Sequence, residues 1–102
     1  MARLIEVQDP RLCPSPLTVR SGDVLLVRAA GSRVVAGGTA VELLGTFVQS
    51  VVADNGEVMT PAGPPNAVLF CARRPGSARL DVVTGDPFHA PVTTALDVTV
   101  GP

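Results

Sequence analysis

Thr39-Ala40-Val41-Glu42-Leu43-Leu44-Gly45-Thr46-Phe47-Val48-Gln49-Ser50-Val51-Val52-Ala53-Asp54 decides the fold class, because it reads two ways. As a helix, Thr39 to Glu42 is a capping box. Leu43, Leu44, Phe47, Val48, Val51 and Val52 then fall at helical spacing, and Asn55-Gly56 is a stop. As sheet, Gly45 and Thr46 break the stretch into two strands, and Asn55-Gly56 turns the second into Glu57-Val58-Met59-Thr60 as a hairpin. Two strands are favoured. Gly45 costs a helix interior about 1 kcal/mol, and the β-branched residues suit a pleated surface better than a helix.

The flanking chain reads as sheet on both sides. Towards the N-terminus, Arg3 to Gln8 is a first strand that ends at Asp9-Pro10, where proline stops a ladder. Pro10 to Pro16 is a proline-rich crossover, Leu17 to Arg20 a strand, Ser21-Gly22-Asp23 a turn, and Val24 to Ala30 an apolar strand. Gly31-Ser32 is a turn, followed by a short, edge-like Val34-Val35. Towards the C-terminus, residues 61–66 are a proline-rich loop, Ala67 to Arg73 a strand, and Arg74 to Ser77 a turn. Ala78 to Val83 alternates cleanly, with Arg79 and Asp81 paired on its polar face. Residues 85–91 are a long loop, and Ala95 to Val100 alternates again. Short, turn-punctuated strands of this kind point to an all-β, antiparallel, immunoglobulin-like sandwich of seven to nine strands. A short helix within 39–54 is the alternative for that segment.

Composition agrees. Valine is the commonest residue, Ile5 is the only isoleucine, and ten glycines and ten prolines supply turns. A length of 102 residues fits one domain over 1–102, able to bury about 60–65% of its unfolded surface. A hydrophobic fraction of 46% excludes a disordered tail. A net charge of −1, with all eight basic residues arginine, offers no field for nucleic acid or anionic lipid. No run reaches the roughly 18–20 apolar residues of a membrane-spanning helix. Glu6 and Asp9 interrupt any signal-peptide core, so the chain as written reads as cytoplasmic. In that compartment Cys13 and Cys71 are expected to stay unlinked.

Phe70-Cys71-Ala72-Arg73-Arg74-Pro75-Gly76-Ser77-Ala78-Arg79-Leu80-Asp81-Val82-Val83 resembles the late hairpin of bacterial immunoglobulin-like domains. Leu17 to Val27, turned at Ser21-Gly22-Asp23, resembles an early hairpin of the same class. A narrower likeness is to the chagasin-type inhibitors of papain-like cysteine proteases, which have an immunoglobulin-like fold and bind through three loops. Their late loop carries Arg-Pro-Trp. Here Gly85-Asp86-Pro87-Phe88 keeps Pro87 and sets Phe88 in place of the tryptophan. Their first loop, Asn-Pro-Thr-Thr-Gly-Tyr, has no counterpart between Ala29 and Val41. The likeness implies protein binding, with an inhibitor as the alternative function.

Catalytic chemistry finds little to stand on. The one histidine, His89, sits in a Pro-flanked loop, and nothing such as Gly-x-Ser-x-Gly is present. One histidine and two distant cysteines make no zinc set. Asp54-Asn55-Gly56-Glu57 offers clustered oxygens, but as a sequence it is turn chemistry before it is a calcium loop. The expectation is therefore a non-enzymatic chain without cofactor or metal.

Its partner is another protein or a second copy, met through apolar sheet faces or edge strands. Ala67, Leu69 and Cys71 alternate with Val68, Phe70 and Ala72, so both faces of that strand are apolar, whereas a two-layer sandwich buries one. Leu69, Cys71, Val48 and Val52 are the candidate interface. The stiff loops supply Pro64, Pro65, Asn66, Asp86, Pro87, Phe88 and His89 as candidate binding residues.

Overall fold

The computed structural model describes residues 3–59, 65–86 and 89–102. Ten strands run through them: β1 (Leu4–Val7), β2 (Leu17–Arg20), β3 (Val24–Val27), β4 (Gly31–Ala36), β5 (Val41–Phe47), β6 (Val51–Val52), β7 (Val58–Met59), β8 (Ala67–Ala72), β9 (Gly76–Asp86) and β10 (Ala90–Gly101). They form a four-stranded sheet β1-β3-β8-β5, a second four-stranded sheet β2-β10-β9-β4, and the β6-β7 hairpin. The two large sheets face each other in an immunoglobulin-like sandwich. No helix among the described residues is long and apolar enough to cross a membrane.

The ambiguous segment is strand. Its break, however, lies at residues 48–50 rather than at Gly45-Thr46. β5 absorbs Gly45 in a register shift against β8 and continues to Phe47, since a bulge adds a residue without ending the ladder. Asn55-Gly56 does turn a hairpin. Asn55 Oδ1 accepts from the Glu57 N–H at 3.0 Å, a local side-chain turn.

Several sequence expectations are corrected. The first and last strands of the expected early hairpin, β2 and β3, lie in different sheets, and so do β8 and β9. Each short turn carries the chain across the sandwich, because both flanking strands have an apolar face that must point to one core. The sandwich is not wholly antiparallel: β1 runs parallel to β3, and β2 parallel to β10. The crossover between β1 and β2 carries the chain from the edge of one sheet to the edge of the other and reverses it, since β1 ends and β2 begins at the same end of the sandwich. Asp9 caps a single 3-10 turn there, Pro10–Leu12. Gly31-Ser32 begins β4 instead of turning, and the turn is residues 28–30. Arg79 and Asp81 do not pair with each other. Arg79 meets Asp97 at 2.9 Å and Asp81 meets Arg33 at 3.8 Å, because the residue directly opposite on the next strand is nearer than the one two along.

The core is one cluster drawn from both inner faces. Leu25, Val27, Val41, Val68, Phe70 and Ala72 come from one sheet, and Val19, Leu80, Val82, Leu96, Val98 and Val100 from the other. The outer face of β8 needs less company than its pattern implies. Ala67 is fully buried within the chain, Leu69 and Cys71 are half-buried, and Leu26 opposite Leu69 is 5% exposed.

Asp23 is the buried charged side chain among the described residues. Its carboxylate accepts from the Arg20 N–H at 2.9 Å, from the Arg3 N–H at 3.2 Å and from Arg3 Nη2 at 2.8 Å, tying the first strand to the β2–β3 turn. The Arg3 guanidinium, then the Arg20 N–H, hold the carboxyl well below 3.8, at about 2. Unfolded, the same group takes up its proton near pH 4. The unfolded chain therefore binds the proton first as pH falls, and the clamp's stabilisation, complete above about pH 5, fades between about pH 4 and pH 2. Thermal melts of Asp23→Asn should show a midpoint lower by on the order of 10 °C at pH 7 and a shallower decline in that acid window. A midpoint and acid limb that match the parent chain would show that the clamp contributes nothing.

Candidate functional site

The strand directions gather the long connections at one end. β1 and β3 end there, β5 ends there and β8 begins there. In the other sheet β2, β4 and β10 begin there and β9 ends there. Among the described residues, this loop end collects 8–16, 28–30, 48–59, 65–66 and 89. The opposite end carries only the short turns at 21–23, 37–40 and 73–75.

Residues 85–91 are not a long loop. β9 runs to Asp86 and β10 starts at Ala90, with Pro91 paired to Gly85 and Val92 to Thr84, so the described residues 85, 86, 90 and 91 belong to a hairpin ladder. β4 covers β9 only as far as Val83, leaving the tip standing above the sheet. Gly85, with φ +78, is required: a Cβ there would lie 2.6 Å from the Ala90 carbonyl oxygen. The β6-β7 hairpin is the second projection. Val52, Val58 and Met59 on it are 68%, 64% and 56% exposed. Leu12 on the crossover and Val92 on the β10 tip are exposed as well. Of the eight large apolar side chains exposed among the described residues, these five belong to the loop end.

At this end lies a cleft of about 380 Å³, lined by Arg28, Ala29, Ala30, Pro65, Asn66, Thr84 and Gly85. Arg28 also borders a smaller depression on the far side, with Gln8, Asp9, Arg11 and Val92. Asp9 faces Arg11, whose guanidinium and N–H donate to both carboxylate oxygens at 3.0–3.1 Å and hold that carboxyl below its usual range.

Of the residues predicted from sequence, Pro65 and Asn66 line the cleft and His89 is exposed at the β9–β10 tip. Asp86 ends β9. Pro64, Pro87 and Phe88 lie outside the described residues. Val52 is exposed on β6, Val48 is half-buried just before it, and Leu69 and Cys71 sit on the outer face of β8. Cys71 pairs with Val24, about 10 Å down the strand from Val68, which pairs with Val27 at the loop end. It therefore does not approach His89. Cys13 and Cys71 are free thiols, and burial pushes the Cys13 thiol up, away from nucleophilic use. No cluster of three His, Cys, Asp or Glu gathers as metal ligands among the described residues.

Sequence reasoning missed Arg28, Val58, Met59 and Val92. The hairpin signal at Asn55-Gly56 was the available clue to the middle two. Nothing local to Arg28 marks it, because its surroundings come from four separate segments.

No family model and no curated protein matches the chain. Solved structures do. The chain matches the crystal structure of the cysteine protease inhibitor EhICP2 from Entamoeba histolytica with a TM-score of 0.59 and 9% identity, over 98% of this chain and 97% of that one. The solution structure of Amebosin aligns over 99% of both chains at 13% identity, with a TM-score of 0.47 that carries no argument. At 9% identity the EhICP2 likeness establishes a shared fold over nearly the full length of both chains.

Proposed function

We propose that the chain, 1–102, is a single non-catalytic protein-binding module that docks through its loop end, and that its partner is a papain-type cysteine protease. The observation that carries the reading is the concentration of exposed Leu12, Val52, Val58, Met59 and Val92 at that end, which also holds an open cleft. Exposed apolar side chains on two hairpins at one end of the sandwich are what a partner can bury. The shared fold with a solved cysteine protease inhibitor favours a protease as that partner. The Pro87-Phe88 likeness to the inhibitors' late loop points the same way. With only residues 28–30 between β3 and β4, docking rests on the β6-β7 hairpin and the β9–β10 tip.

Titrating the protein into papain acting on a small peptide substrate tests this. Inhibition with a dissociation constant of about 1 μM or tighter is expected. Replacing Val58 and Met59 by Asp should weaken it by about tenfold or more, since truncated apolar anchors dominate such interfaces. The thermal midpoint should stay put, as both residues are exposed. Full papain activity at saturating protein, with no heat of binding, would remove the protease reading.

Self-association is the second reading, favoured by half-buried Leu69 and Cys71 on the outer face of β8 beside exposed Leu44 on the edge strand β5. Light scattering that reports a monomer at high concentration would sink it.

A further inference from the structure

Five of the eight arginines are held by carboxylates: Arg3, Arg11, Arg33, Arg73 and Arg79. Arg20 and Arg74 are exposed, near the opposite end. Arg28 differs from both groups. It is half-buried, and among the described residues it has no ion pair and its Nε, shielded from solvent, has no hydrogen-bond partner. A guanidinium has five donors and keeps its charge at any pH a protein meets, so a shielded and unpaired one is costly.

The backbone that carries Arg28 cannot swing it elsewhere. Its N–H donates to the Val7 carbonyl at 3.0 Å, the Ala30 N–H donates to the Val83 carbonyl at 2.8 Å, and Ala29 between them is buried. The three-residue turn is thus pinned to both sheets, and the side chain is left on the cleft wall. Asp9 is the acidic residue that borders the Arg28 clefts with a described side chain, and both its oxygens are taken by Arg11. Among the described side chains no carboxylate pairs with Arg28. Asn66 Oδ1 accepts from the Gln49 N–H at 2.7 Å, which leaves the Asn66 amide NH₂ on the same wall as a second donor.

We infer that the Arg28 cleft is a carboxylate pocket, which receives an acidic side chain of the docked protein and anchors the loop-end interface. A carboxylate accepts two parallel N–H bonds from a guanidinium fork, and the Asn66 amide adds a third donor. The cleft of about 380 Å³ admits an Asp or Glu side chain. The inference rests on the loop end being the docking surface, and is independent of the partner being a protease.

The test is a titration followed by NMR, reading the Arg28 Nε–Hε resonance and the amides of Ala30, Asn66 and Gly85. N-acetylglutamate α-methylamide, which carries only the side-chain carboxylate, is the probe and N-acetylglutamine α-methylamide its neutral control. Saturable shifts with the acid are expected, absent with the amide, and weakened by about tenfold or more in Arg28→Gln. Arg28→Lys should recover part of the affinity, because it keeps the charge but not the fork. Unchanged thermal midpoints certify that both variants fold. Equal shifts from acid and amide, no shift at all, or tighter binding of inorganic phosphate than of the carboxylate would each overturn the assignment. If papain is not bound, this titration still decides the pocket. If papain is bound equally by the parent and Arg28→Gln, the pocket falls and the inhibitor reading stands.

Discussion

Phe70→Ala should cost the fold about 3–5 kcal/mol, the range measured when a buried aromatic is truncated in a core. Phe70 is the largest of the fully buried side chains and sits midway along β8, a central strand of its sheet. Leu25 lies opposite it on β3 and Leu43 on β5, and the second sheet closes the space from across the core. Valines dominate that core. They are short and branched at Cβ, so they have little reach with which to fill the void. Native domains hold only about 5–15 kcal/mol in total, so the variant should be marginal. Urea unfolding should show a lower midpoint at an unchanged slope. A loss below about 1 kcal/mol would mean that the core closes around the gap. Phe47, half-buried near the end of β5, should cost clearly less.

Gly37→Ala should be comparably damaging, by about 2–5 kcal/mol, through left-handed backbone strain and steric overlap together. Gly37 has φ +79, and a Cβ there would stand 2.1 Å from the Ser77 carbonyl oxygen and 2.7 Å from the Ala78 Cα. Both are backbone atoms of β9, so no rotamer change relieves the contact. The Gly37 carbonyl accepts from the Ala40 N–H at 2.9 Å, so a turn that shifts to make room also disturbs the start of β5. Gly38 provides the control. An added Cβ there meets nothing within 4 Å, and Gly38→Ala should change stability by less than about 0.5 kcal/mol. Equal denaturation midpoints for the two variants would refute the packing account. Both Phe70 and the Gly37 turn lie away from the loop end. Whatever fraction of either variant stays folded should dock like the parent, whereas Val58 and Met59 substitutions should do the reverse.

How much was legible in the sequence follows the range of each interaction. β2 was readable to the residue, because Leu17 to Arg20 is bounded by a proline and by Ser-Gly-Asp. The Asn55-Gly56 hairpin was readable for the same reason, its turn chemistry being contained in four residues. The break in Thr39 to Asp54 was misplaced, because a glycine that ends an isolated strand can sit in a bulge once β8 lies alongside. Residues 85–91 read as loop on account of Gly85 and Pro91. Cross-strand pairing with β9 nonetheless carries Ala90 and Pro91 in β10. Asp23 read as a turn residue, and only the arrival of Arg3 from 20 positions away makes it a buried clamp.

The sequence by itself determined that this protein is sheet: valines in alternation, cut by glycine and proline, leave the backbone few other ways to bury its apolar side. The tertiary structure decided which strands share a sheet, which charges pair, and that five exposed apolar side chains and Arg28 lie at one end. The physical reason is that a period-two pattern states which face is buried but not against what. Every ladder offers the same N–H and C=O groups, so the choice among partners is made by the closure of the whole core.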